Sequence, residues 1–181
     1  MPSSKSRAIL LVDGYNIIGA WPQLSQKRDY ESLEDARRGL TEALVNYSAY
    51  ENLSTQIVFD AYSQNSPSSE EVVTPHVSVC YTGFGQTADT YIEKLCASLS
   101  HDLRRARRHL IVATSDRAQQ LTVDGYGAKW RSAQELAHDV EAVARRYQKC
   151  HKSRKQSGGR YLMNSLDPKS QEILSQLRMG L

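Results

Sequence analysis

The amino-acid sequence predicts an α/β fold, a three-layer α/β/α sandwich with a central, mainly parallel sheet. Short apolar runs alternate with longer amphipathic ones along the chain, the pattern of strands covered by helices. The first and last of those runs are continuous in Val, Ile, Leu and Ala, as befits strands buried on both faces. A length of 181 residues, 40% of them hydrophobic and 24% charged, provides one globular core and a short appendage.

Strands are expected at residues 8–12 (Ala-Ile-Leu-Leu-Val), 56–59 (Gln-Ile-Val-Phe), 77–81 (Val-Ser-Val-Cys-Tyr) and 110–113 (Leu-Ile-Val-Ala). Between the first two, residues 32–51 place Leu33, Ala36, Leu40, Leu44 and Tyr47 at steps of three or four, the helical period, and Ser32 with Asp35 resembles a capping box. Residues 87–103 form a second helix with Ile92, Leu95, Cys96 and Leu99 on one side. A short third helix follows Asp116. A long fourth begins at Ser132, where Ser132 and Glu135 form another capping pair and Leu136, Val140, Val143 and Tyr147 continue the stripe. A brief strand at 128–130 connects these last two.

Residues 63–76 are polar and contain prolines, and are read as a mobile loop. Residues 152–160, with Ser157-Gly158-Gly159, are read as a flexible basic linker. Asp167-Pro168 then opens a last helix that ends at Gly180. The expected plan is an N-terminal extension at 1–7, a core domain at 8–150, and a basic linker with a C-terminal helix at 151–181.

The net charge of +3 hides an asymmetry: residues 1–103 carry 7 basic and 13 acidic side chains, whereas residues 104–160 carry 14 basic and 5 acidic. Such a split marks a polyanion-binding half or a solvated basic face with comparable weight. Cys80, Cys96 and Cys150 show no C-x-x-C spacing, which excludes a disulfide framework and a zinc site and points to a reducing compartment. The apolar run at 8–12 is too short for a signal peptide or a membrane span. A soluble, monomeric protein without a membrane partner is expected, in a bacterial-type cytoplasm or an organellar stroma.

Four carboxylates share one placement. Asp13 follows the first strand, Asp60 the second, Asp116 comes three residues after the fourth, and Asp89 begins the helix after the third. In an open parallel sheet these positions lie at the C-terminal edge, where such folds bind ligands. Converging carboxylates call for a cation, a raised pKa or intervening solvent. Oxygen ligands without His or Cys select Mg²⁺ or Mn²⁺, ions that activate water and stabilise a phosphodiester transition state. Glu93 follows Asp89 by four residues and shares its helix face. The competing reading is local: Asp at a helix start is commonly a cap, which accounts for Asp89 and Asp116 without chemistry, and Asp13 before Gly14 suits a turn. No G-x-G-x-x-G, P-loop or H-E-x-x-H motif is present, so dinucleotide, nucleotide-triphosphate and zinc-protease chemistries lack their residues.

The segment Ile9-Leu-Leu-Val-Asp13-Gly-Tyr-Asn16-Ile-Ile-Gly-Ala-Trp21-Pro22 resembles the opening of an NYN domain, a branch of the PIN-like nucleases, and its Trp-Pro extension resembles the YacP-like branch. Val58-Phe-Asp60-Ala, Thr87-Ala-Asp89-Thr-Tyr-Ile-Glu93, Ala113-Thr-Ser-Asp116 and the stretch from Gly127 through Lys129, Arg131 and Glu135 match in the same order. The resemblance implies a PIN-like sandwich whose Asp13, Asp89 and Asp116 bind divalent metal, with Asp60 a further acidic position of the catalytic set. It also implies an endoribonuclease that associates with the ribosome and cuts mRNA at the A site. Asn16 matches the Asn of the family name, with an orienting role toward Asp13 or water set against a turn-stabilising one. Thr87 and Ser115 are supporting candidates, as carboxylate donors or as helix caps.

With RNA as partner, Arg104, Arg105, Arg107, Arg108, Arg145, Arg146 and Lys149, together with Lys129 and Arg131, become phosphate-binding candidates. Tyr15, Trp21, Tyr62 and Trp130 are candidates for stacking on bases, with core packing the alternative for the two tryptophans. A catalytically silent ribosome- or RNA-binding module and a small-molecule phosphatase are the competing functions.

Overall fold

The computed structural model describes residues 7–60, 67–106 and 109–164, with side chains for 7–60, 67–100 and 109–149. Among the described residues there are six strands, β1 (Ala8–Asp13), β2 (Leu53–Phe59), β3 (Ser69–Thr74), β4 (Val77–Tyr81), β5 (Leu110–Ala113) and β6 (Lys129–Arg131). Six helices join them: α1 (Gly14–Ala20), α2 (Pro22–Tyr30), α3 (Leu33–Glu51), α4 (Ala88–Ala106), α5 (Arg117–Gly125) and α6 (Ala133–Asn164). The chain divides into two compact units, Met1–Val143 and Ala144–Leu181.

The first unit holds one six-stranded sheet in the order β3-β4-β2-β1-β5-β6, parallel throughout except for the β3–β4 pair. Alternate residues along each strand serve opposite faces. Leu10, Val12, Ile57, Phe59, Val77 and Val79 pack with Ile17, Ile18, Leu40, Leu44 and Leu136 on one face. Leu11, Val58, Leu110 and Val112 pack with Ile92, Cys96 and Val123 on the other. These two cores make the expected three layers, with α1, α2, α3 and the start of α6 on one side and α4 and α5 on the other.

Both capping pairs form. Ser32 Oγ accepts from the Asp35 amide at 3.0 Å and donates to its carboxylate at 2.5 Å. Ser132 Oγ accepts from the Glu135 amide, while the Glu135 carboxylate accepts from the Ser132 amide and hydroxyl.

The structure departs from the sequence reading in two places and adds to it in a third. Residues 69–74, read as loop, form β3, an antiparallel edge strand on β4. Its Val72 is 75% exposed, and since it buries no face its sequence needs no apolar alternation. The segment between the first strand and Ser32 holds α1 and α2, two short helices that Trp21 joins by serving as C-cap of one and N-cap of the next. Residues 152–160, read as a flexible linker, continue α6. Lys, Arg and Gln are good helix formers there, and two glycines cost only about 1 kcal/mol each. The helix expected from Asp167 lies outside the described residues.

Candidate functional site

The chain leaves β1 toward β2 on one side and returns to β5 on the other, so the carboxyl ends of β1 and β5 flank a topological switch point, the place where open α/β sheets form a ligand crevice. Asp13 is the last residue of β1 and Asp116 follows β5 by three residues. Asp60 comes directly after β2, next to β1 in the sheet. Asp89 is the second residue of α4.

Asp13 caps α1, its Oδ1 accepting from the Asn16 amide at 3.2 Å. The strand-to-helix turn is tight enough to require the glycine after it. A Cβ on Gly14 would stand 2.2 Å from Cε1 of the fully buried Phe59. Burial pushes the Asp13 carboxyl up to about 7, against the Asn16 amide, and the charges of Asp89 and Asp60 push the same way. Asp89 is also raised, by burial first and then by Asp116, Asp60 and Glu93, while its contact with Asp13 opposes the shift by favouring the shared proton on Asp13. Asp60, Asp116 and Glu93 thus all bear on the Asp13–Asp89 pair at this edge. Asp89 Oδ1 is buried and has no hydrogen-bond partner.

Asp60 has a structural task, since its Oδ1 accepts from the Ala88 amide, the first residue of α4. It thereby ties the helix that carries Asp89 to the end of β2. Thr87 takes the cap reading: its hydroxyl accepts from the Thr90 amide at 3.2 Å. Asp116 caps α5 by accepting from the Ala118 amide at 2.7 Å, and its own amide is held by Thr114 Oγ1. Ser115 also caps, its hydroxyl accepting from the Ala133 amide at the start of α6. The Asn16 side chain reaches the loop that precedes α5. Its Oδ1 accepts from the Ser115 amide at 2.8 Å, bridging α1 to the loop that presents Asp116.

Among the described residues, no three carboxyl, imidazole or thiol groups stand close enough together to hold a metal ion as they lie. The buried Asp89 Oδ1, without a hydrogen-bond partner, is nonetheless the kind of donor that a hard cation takes.

The model of the YacP-like NYN domain matches residues 10–179. The chain belongs to the YacP-like NYN domain family. It is 40% identical over 142 residues to YacP of Bacillus subtilis (strain 168), covering 78% of this chain and 79% of that protein. Two crystal structures of Rae1 (YacP) from Bacillus subtilis, one of them a point mutant, each superpose with a TM-score of 0.66. They are 33% and 34% identical and cover 94% and 95% of this chain, and 99% and 95% of theirs. NYN domains are generally nucleases, so this YacP-like chain has a nuclease-type function.

The RNA-binding candidates of this YacP-like chain divide by location. Tyr15 is half-buried with its ring 5.1 Å from that of Phe59. Trp21 is core, its Nε1 donating to the Ala133 carbonyl at 2.8 Å, whereas Trp130 is 46% exposed. Lys129 is exposed on β6. Arg131 is committed inward, donating to Tyr47 at 2.9 Å and paired with Asp139. Arg145, Arg146 and Lys149 are exposed on the part of α6 in the second unit. Arg104 and Arg105 lie on the last turn of α4. Tyr62, Arg107 and Arg108 lie outside the described residues. Among the described residues no helix is long and apolar enough to cross a membrane.

Sequence reasoning missed Arg37. It lies four residues after Leu33, on the flank of the apolar stripe of α3, where a lone Arg gives no motif. Its guanidinium carbon lies 6.0 Å from the Tyr15 ring centre and 5.9 Å from that of Tyr81.

Proposed function

We propose that this protein is a divalent-metal-dependent endoribonuclease that cuts mRNA on the translating ribosome, at the A site. One observation carries the catalytic part. Asp89 Oδ1 is buried without a partner beside Asp13, whose proton affinity is raised to about 7. Capping accounts for Asp13, Asp60 and Asp116 in part, but not for Asp89, which is spared that task by Thr87. Leaving a carboxylate oxygen buried and unmatched is costly, and a cation is the partner that removes the cost.

Asp13 and Asp89 form the inner pair of the proposed Mg²⁺ or Mn²⁺ site, with Asp116 as the third ligand. A bound ion of this kind lowers the pKa of water and offsets charge on a phosphodiester. Around it, Asp60 fixes the start of α4 and Asn16 fixes the Ser115–Asp116 loop. The ribosomal setting rests on membership of the YacP-like branch and on the basic residues Arg145, Arg146 and Lys149 of α6.

The competing reading is a silent RNA- or ribosome-binding module. The capping bonds of three of the four aspartates favour it, because they give those carboxylates a purpose without chemistry. Mapping mRNA 5′ ends in a translating extract, with wild type and Asp13→Asn, separates the two. Metal-dependent cuts at one fixed position in the reading frame, lost in the variant, are expected. Absence of cuts with the wild type favours the silent module, and full activity of Asp13→Asn overturns the catalytic assignment.

A further inference from the structure

The acidic edge that suits a cation is hostile to the RNA it is proposed to cut. Asp13, Asp60, Asp89, Asp116 and Glu93 all act on this small region, and an approaching phosphodiester meets their field before it meets any ion. A positive side chain at the same edge lowers that barrier for the strand. Arg37 is placed there. The chain enters β2 from the C-terminal end of α3, so α3 begins at the edge that carries the carboxylates, and Arg37 is on its second turn. It contacts Tyr15, two residues beyond Asp13, and Tyr81, the last residue of β4.

Its surroundings are those of a held, under-used guanidinium. The only ion pair of Arg37 among the described residues is with Glu34 on its own helix, at 3.4 Å, and Glu34 is 65% exposed. Its Nε is buried without a hydrogen-bond partner, while the side chain as a whole keeps 24% of its surface open. Arg38 next to it behaves as an ordinary surface arginine, 63% exposed and bonded to Asp35 at 2.7 Å. Two aromatic rings lie within cation–π range of the Arg37 guanidinium, and Tyr81 is itself stacked on Phe59. The terminal N–H donors of such a guanidinium match a phosphate bidentately.

We infer that Arg37, seated between Tyr15 and Tyr81, binds a backbone phosphate of the RNA strand at the carboxylate edge. The inference rests on the proposed RNA substrate but not on cleavage itself.

The test uses the full-length chain carrying Asp13→Asn, so that RNA stays intact, with a fluorescent single-stranded RNA oligonucleotide as probe. Affinity is read by anisotropy between 50 and 200 mM KCl, roughly the range over which phosphate contacts are lost. Adding Arg37→Met is expected to weaken binding about tenfold and to flatten the slope of log K against log salt by about 0.7, the value for one phosphate on a single strand. Arg37→Lys keeps the charge, and so the slope, but loses part of the affinity. Arg38→Met leaves both unchanged.

A purely structural bracket predicts a lower melting temperature for Arg37→Met with affinity and slope unmoved, and that result overturns the inference. So does a wild-type Arg37 chain that fails to bind the probe at all. Cleavage in a translating extract is scored separately. If the wild type does not cut but Arg37→Met loses RNA binding, the nuclease reading falls and the phosphate contact stands. If the wild type cuts and Arg37→Met cuts with the same KM, the contact falls and the nuclease reading stands.

Discussion

Asn16 and Ser115, 99 residues apart in the chain, are joined by a 2.8 Å hydrogen bond from the Ser115 amide to the Asn16 side-chain oxygen. The bond crosses the switch point, fastening the first turn of α1 to the loop that carries Asp116. Asn16→Ala is expected to cost about 1 kcal/mol in urea unfolding and to lower cleavage well beyond what that loss of stability explains, because Asp116 is no longer held in register. Asn16→Asp keeps an acceptor but adds a charge beside Asp13. Its penalty should therefore grow as pH rises through about 7, where Asp13 ionises. Equal penalties at pH 6 and pH 8 would contradict this account.

Gly14 is required by a neighbour rather than by its backbone angles. A Cβ there meets three ring atoms of Phe59 at 2.2, 2.5 and 2.8 Å, and the ring is wedged between Tyr15 and Tyr81. Gly14→Ala should destabilise by about 2–3 kcal/mol, as overpacking does, and lower Tm by roughly 5–10 °C for a chain of this size. Phe59→Leu in the same chain should recover part of the loss. A double mutant no better than the sum of the two single changes would rule out the ring as the cause.

Much of this was legible in the sequence, and the reasons are local. Residues 8–12 and 110–113 read as strands because burial on both faces leaves no polar position. The capping pairs at Ser32 and Ser132 fixed two helix starts because the interaction spans only three residues. The common edge of Asp13, Asp60, Asp89 and Asp116 followed from counting past the strand ends. Contacts made across the fold were not legible. The Asn16 bond to Ser115, the Asp60 bond to Ala88 and the setting of Arg37 between two tyrosines each depend on packing between elements distant in the chain. β3 escaped notice because an exposed edge strand carries no apolar alternation.

The bond from the Ala88 amide gives Asp60 a task on α4, the helix that carries Asp89. Asp60→Asn retains an oxygen that can accept from Ala88, so cleavage should stay within a few-fold of wild type. Asp60→Ala removes the acceptor and should cost about 1 kcal/mol and much of the activity, as the start of α4 and Asp89 with it lose their anchor. Asp13→Asn should abolish cleavage while the fold is kept. Were Asp60→Asn as inactive as Asp13→Asn, Asp60 would belong among the ligands and not only among the supports.

The raised proton affinity of Asp13 makes stability depend on pH in a fixed direction. Its carboxyl lies at about 7 in the folded protein against 3.8 as the ordinary value, and Asp89 is shifted the same way. Between those limits the folded state holds a proton that the unfolded state has released, so stability falls as pH rises. The contribution is complete below the unfolded value and lost on passing about 7. The total amounts to several kcal/mol at most, at about 1.4 kcal/mol per unit. Thermal melts in chelator should thus give a higher Tm at pH 5.5 than at pH 8, and Asp13→Asn should flatten the difference by raising Tm on the alkaline side. A divalent ion competes with the proton for the same oxygens, so the gain in Tm on adding Mg²⁺ or Mn²⁺ should be larger at pH 8 than at pH 5.5. A metal effect independent of pH, or one that survives Asp13→Asn undiminished, would place the ion elsewhere on the protein.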